Sequence, residues 1–150
     1  MKYIPIDELE VYKLAMEIGE EIWTVVDKWP EFPKKVVGIQ FCKAGDSIAA
    51  NISEAHGRYH YKDKKNFCFF SRGSLLESKT WLKKSHNRKF IDDEVHTSIH
   101  DKLRRCHYLL NQYIKSIGTS NGGDDKVQES IIPTYDLPPN FDNLHDFHDP

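Results

Sequence analysis

The sequence predicts an all-α fold, an antiparallel up-down-up-down four-helix bundle over residues 1–118 followed by an extended acidic, proline-containing tail over 119–150. Three observations predict it. Four stretches repeat apolar residues at helical spacing of three and four, short Pro- or Gly-marked connections separate them, and no stretch alternates as a half-buried strand would. Short links favour antiparallel neighbours, which gives the bundle its topology.

The first helix is expected from Asp7 to about Trp29, with Asp7 as N-cap and Glu10 completing a capping box. Val11, Ala15, Ile18, Ile22, Val25 and Trp29 form its stripe. A second row, Leu9, Tyr12, Met16, Gly19, Trp23 and Val26, lies beside it. That face is wider than one bundle seam requires, so it is either a generous core contact or a second, intersubunit seam. Pro30 and Pro33 close the helix. The second helix is expected from Pro33 to His56, with stripe Val37, Phe41, Ala44, Ile48, Ile52 and Ala55 and Gly57 as its stop.

After the basic, aromatic connector Arg58–Lys62, Asp63 is the expected cap of a third helix reaching Asn87. Phe67, Phe70, Leu75, Trp81 and Leu82 are its apolar positions, with small residues Gly73, Ser74 and Ser78 that let another helix come close. Asp92 caps the fourth helix, striped by Val95, Ile99, Leu103, Cys106, Leu110, Tyr113 and Ile117 and ended by Gly118. The tail carries Ile131, Ile132, Tyr135, Leu137, Phe141, Leu144 and Phe147 among its prolines and acids. It is either disordered or an anchoring segment.

Charge divides along the same boundary. Residues 1–117 sum to +4 and residues 118–150 to −6. No stretch reads as a signal peptide or a membrane span. Cys42, Cys68 and Cys106 are odd in number and widely spaced among apolar residues, the pattern of reduced thiols in a cytoplasmic protein.

Three segments resemble a known family. Ser47-Ile48-Ala49-Ala50-Asn51-Ile52-Ser53-Glu54-Ala55-His56-Gly57-Arg58 is similar to the SIPANIAEGxGR signature of the four-helix proteins encoded by intervening sequences in bacterial 23S rRNA genes, often labelled S23 ribosomal proteins. Leu9–Ala15 resembles that family's LxVWxxA start, and Ser71–Glu77 its ARGSLxE motif. Ala50 stands where the family usually has Pro, and Ala55-His56 replaces a Gly-x pair. The resemblance covers about residues 6–117 in the right order, and the tail has no counterpart in it. It implies a four-helix bundle that assembles as a ring-like homopentamer. It implies no settled activity and no true ribosomal role. Related proteins are accessory factors of diversity-generating retroelements that bind a reverse transcriptase and nucleic acid.

No nucleophile motif, phosphate loop or cofactor fingerprint is visible, so the chain is expected to be no enzyme and to need no cofactor. Within the family-like motifs, Asn51, Glu54, Arg72 and Glu77 are the polar residues; an Arg72–Glu54 bridge between helices two and three would fix register. His96 and His100 have the i, i+4 spacing of a metal pair, but without a Glu-x-x-His partner they are expected to be ordinary helix histidines and no metal site. The functional lead is basic. One bundle end is expected to collect Lys34, Lys35, Lys83, Lys84, Arg88 and Lys89, the other Arg58, Lys62, Lys64, Lys65 and Lys115. Tyr59 and Tyr61 there are able to stack on bases. The partner expected from these patches is RNA or DNA. The competing expectation is a structural, protein-binding module that uses the tail as its docking segment and binds no nucleic acid. The acidic tail leaves the fourth helix near the second basic end, where it is expected to compete with nucleic acid.

Overall fold

The computed structural model describes residues 3–118; the expectations about the tail fall outside them. Among the described residues there are four long helices and no strand. Helix α1 is Glu10–Asp27. Helix α2 is Ile39–Gly57, entered through a helical turn Glu31–Pro33 and a π-helical segment Lys34–Gly38. Helix α3 is Tyr61–Asn87 and α4 is Asp93–Ser116. Each helix packs on two others in a closed square, α1 against α2 and α4, and α3 against α2 and α4.

Paired contacts run in opposite directions along every side of the square. Gly19 lies against Asp46, Ile22 against Gly45 and Val26 against Gly38, so α1 rises as α2 descends. Lys64 reaches His56 while Ser71 reaches Ile48. Arg72 meets Asn111 and His86 meets Asp93. Glu21 meets Ser98, and Glu17 meets Lys102. The bundle is antiparallel throughout.

The stripes of α1, α2 and α4 form the core as expected, with Ile18, Ile22, Phe41, Ile48, Ile52, Ile99, Leu103 and Leu110 fully enclosed. The second row of α1 divides: Gly19 and Val26 are buried, while Met16 and Trp23 remain exposed. Helix α3 departs from its expected pattern. Phe70 is 59% exposed, and the buried seam is Cys68, Ser71, Leu75, Ser78, Leu82 and Ser85. The serines are tolerated because each hydroxyl donates to a backbone carbonyl, Ser71 to Ile48, Ser78 to Ser74 and Ser85 to Trp81. Their small size gives α2 and α3 the most extensive contact in the bundle.

Close approach also explains two glycines. A Cβ on Gly45 would lie 2.7 Å from Ile22 Cδ1, and one on Gly38 would lie 2.6 Å from Val26 Cγ1. Gly57 is the last residue of α2, where a stop is expected, and it ends the helix without a positive φ. Beyond it Arg58 turns extended, and the Lys64 ammonium donates to the His56 and Ala55 carbonyls.

Only one of the three expected acidic caps forms. Asp92 Oδ1 accepts from the Val95 N–H at 2.8 Å. Asp7 lies inside a 3₁₀ turn, Ile6–Glu8, and the backbone first becomes helix after Leu9. Asp63 lies within the first turn of α3, whose cap position is His60; there its carboxylate faces the positive end of the helix dipole. At its other end α1 finishes at Asp27, because the Lys28 and Trp29 N–H groups turn back to Val25 and Val26 in a tighter spiral.

Candidate nucleic-acid interface

The basic residues singled out in the sequence lie at the two ends of the bundle, and their side chains differ in how far they are already engaged. The α1–α2 and α3–α4 turns share one end, joined by the Trp29 and Phe90 rings with centroids 5.6 Å apart. Here Lys34 donates to the Asp27 carbonyl at 2.8 Å, and Lys35 lies 3.6 Å from Glu31. Lys83, Lys84, Arg88 and Lys89 are exposed, and none of the four makes an ion pair among the described residues.

The turn that ends α3 just beyond Lys83 and Lys84, and that carries Arg88 and Lys89, is a Schellman cap. Phe90 N–H donates to Ser85 O and Lys89 N–H to His86 O, each at 3.0 Å. Its pivot is held at φ 64° and is Lys89, where glycine would be cheaper. A side chain in the left-handed region costs roughly 1 kcal/mol. Lys89→Gly is therefore expected to raise stability by about 1 kcal/mol in urea denaturation.

At the opposite end the connector residues are more committed. Arg58 pairs with Glu54 one turn back and stacks 4.6 Å over the Phe67 ring. Lys64 is occupied closing α2. Lys62 and Lys115 are exposed and Lys65 is half-buried. Tyr59 is 89% exposed, with His60 against its edge, whereas Tyr61 lies against Gly118. Of the expected phosphate contacts, Arg58 and Lys64 are thus held by the chain itself.

The polar residues of the family-like motifs do not converge. Glu54 takes Arg58 in place of the expected Arg72. Arg72 donates to Asn111 on α4 at 3.1 Å and lies over the Phe69 ring. Asn51 donates to Ser47 O, and Glu77 accepts from the Trp81 indole N–H. What joins two of the motifs is Ser71, whose hydroxyl donates to Ile48 O at 2.7 Å. These segments set helix packing.

One cluster escaped sequence reasoning. His96 stacks on His100 with centroids 5.6 Å apart and on His86 of α3 at 4.1 Å; His86 in turn contacts Asp93 at 2.7 Å. The i, i+4 spacing marks the α4 pair, but nothing in sequence marks His86 as its neighbour. Among the described residues no group of three or more His, Cys, Asp or Glu is arranged to hold a metal. The three cysteines are free thiols, and burial pushes Cys68 and Cys106 up to about 12. No described helix is long and apolar enough to cross a membrane.

A family model for the 23S rRNA-intervening sequence protein matches residues 7–112, which span all four helices. The chain belongs to this family. A solved structure from Bacteroides thetaiotaomicron, a protein with unknown function from the S23 ribosomal protein family, is similar at 26% identity with a TM-score of 0.64. The match covers 71% of this chain and 99% of that one. Comparison with curated proteins gives no match. Within this intervening-sequence family fold, two of the three family-like segments meet along the α2–α3 seam through Ser71 and Ile48, while the cations without ion pairs, Lys83, Lys84, Arg88 and Lys89, stand at and beside the α3–α4 turn.

Proposed function

We propose that this 23S rRNA-intervening sequence family protein is a non-enzymatic accessory factor that assembles as a ring-like pentamer and binds nucleic acid, RNA above all, through its basic ends. A reverse transcriptase is the protein partner that the family resemblance brings with it. The observation that carries the reading is the cluster Lys83, Lys84, Arg88 and Lys89. Four exposed cations without an ion pair surround a turn whose pivot keeps a strained lysine in preference to glycine. Strain of this kind persists where function repays it. Arg58, Lys62, Lys64, Lys65, Tyr59 and Tyr61 form the secondary surface, with Tyr59 the side chain best placed to stack on a base.

The test is binding of structured RNA and duplex DNA across a salt series. Changing Lys83, Lys84, Arg88 and Lys89 together to alanine is expected to shrink the log–log salt slope by about 3. Lys89→Gly is expected to weaken binding while it stabilises the fold, so the two effects of one change point in opposite directions. Equal affinity and slope for the wild type and the quadruple variant would reject the assignment. No binding by either at low salt would leave the second reading, a protein-interaction module with residues 119–150 as docking segment, which the exposed Trp23 and Met16 favour.

A further inference from the structure

The stacked histidines of the α3–α4 seam begin inside the cationic turn. His86 stands three residues from both Lys83 and Lys89, and its carbonyl accepts the Lys89 N–H in the Schellman cap. It lies in the last turn of α3, where the negative end of the helix dipole favours a positive charge. Its ring is held on two sides. Nε2 is 2.7 Å from Asp93 Oδ1, and the face stacks on His96 with centroids 4.1 Å apart and 25° between planes. His96 continues the stack to His100 at 5.6 Å and 18°. The Asp93 contact fixes where a proton enters. A carboxylate only accepts, so Nε2 carries the hydrogen of the neutral ring and Nδ1 is its basic atom. Nδ1 has no hydrogen-bond partner among the described residues, and the side chain is 31% exposed, so water can deliver a proton without breaking the Asp93 contact. A second proton, on His96, would set like charges face to face at 4.1 Å, so the stack takes up its first proton more readily than its second.

The surrounding charges decide what that proton responds to. From α4 the stack meets Asp93 and, at its far end, Asp101, 3.7 Å from His100 Nδ1; Asp92 is the helix cap, and Glu94 is exposed beside it. On the other side of α4, Glu17 and Glu21 of α1 are engaged by Lys102 and Ser98. At the α2 side of this end, Lys34 and Lys35 pair with Asp27 and Glu31. Helix α3 and its turn supply Lys83, Lys84, Arg88 and Lys89, none in an ion pair among the described residues, and Lys79, which with Arg72 acts on His107 further along the seam. Asp93 is 99% exposed, so its charge is screened by water and offsets little of this. In the unliganded chain the four cations therefore oppose one more positive charge on His86. A phosphate backbone seated on them replaces that repulsion with attraction, and linkage makes the effect reciprocal. We infer that polyanion binding at the α3–α4 turn takes up a proton on His86 Nδ1, so that nucleic acid binds more tightly as pH falls. The inference rests on the reading of this turn as the nucleic-acid site.

The experiment measures the affinity of the full chain for one duplex DNA at constant salt from pH 8 to pH 6, where lysine and arginine stay charged. Circular dichroism at each pH checks that the bundle is intact. The wild type is expected to bind about tenfold more tightly at pH 6 than at pH 8, the gain from one proton whose affinity rises by about one pH unit in the complex. Titration calorimetry in two buffers of different ionisation enthalpy should show proton uptake on binding. His86→Gln keeps an N–H for Asp93 and removes the basic atom, so its pH dependence should be nearly flat. His60→Gln, at the opposite end of the bundle, should keep the wild-type dependence. The variant with Lys83, Lys84, Arg88 and Lys89 changed to alanine, compared with the wild type at pH 8, tests the site separately. If it binds much more weakly but wild-type affinity does not change with pH, the inference falls and the site stands. If it binds like the wild type, the site falls and the inference with it. A wild-type pH dependence in His86→Gln, or its loss in His60→Gln, would place the proton elsewhere and overturn the inference.

Discussion

Phe41→Ala is expected to destabilise the bundle by about 3–5 kcal/mol, a large part of what a domain of this size possesses. Phe41 is fully enclosed, and its ring lies 6.5 Å from that of Trp29. Trp29 in turn contacts Phe90, the residue after Lys89. Phe41 stands just after the π-helical segment, where Gly38 is pressed against Val26, so backbone and side chains have little freedom to close the void. A residual cavity adds to the lost transfer energy. Guanidinium denaturation should show a lower midpoint with an unchanged slope, and Phe41→Leu should lose far less. A Phe41→Ala loss below about 1 kcal/mol would mean that this layer collapses freely and that Trp29 does not rest on it.

The reason this fold could be read from its sequence lies in how α1, α2 and α4 are made. Val11, Ala15, Ile18 and Ile22, like Ile99, Leu103, Cys106 and Leu110, announce burial by hydrophobicity and period together. Helix α3 conceals its seam because three of its buried positions are serine. A hydroxyl that bonds a backbone carbonyl packs like a small apolar group, and hydropathy does not register that bond. Phe70, the more hydrophobic neighbour of Ser71, is the one left outside. Asp92 was legible as a cap because the chemistry is local. Asp7 and Asp63 have the same side chain, but the extended cap residue falls at Leu9 and His60.

The candidate interface was legible in the same partial way. Which residues carry charge is written in the sequence, and so is the end of the bundle where each falls. Whether the charge is free is decided by three-dimensional partners. Glu54 engages Arg58, and two carbonyls at the end of α2 engage Lys64, leaving Lys83, Lys84, Arg88 and Lys89 as the cations without ion pairs at the other end. The positive φ of Lys89 could not be foreseen, since lysine has no preference for that conformation. The wide apolar face of α1 left a generous core contact and a second seam equally open, and only the packing of α2 shows which of its residues, Met16 and Trp23, stay exposed.

Stability is expected to fall by about 2 kcal/mol between pH 7 and 5 through His107 alone. This imidazole is 4% exposed, and burial, reinforced by Lys79 and Arg72 nearby, lowers its pKa to about 4. The unfolded chain returns it to the ordinary value near 6.5, so the unfolded state binds the proton first. The contribution is therefore fully present above pH 6.5, declines as pH falls towards 4, and is lost below, a total of roughly 3 kcal/mol. His56, lowered by burial and then by Lys64, adds in the same direction. Folding makes room for the neutral ring inside the seam between α3 and α4, where Arg72 is fixed on Asn111 and leaves no site for a second positive charge. His107→Gln carries a neutral side chain at every pH. It should be less stable than the wild type at pH 7, yet its stability should fall less steeply towards pH 5, by nearly one bound proton in the slope. Parallel curves for the two proteins would show that His107 takes up its proton without unfolding the bundle, and would place the acid sensitivity in other groups.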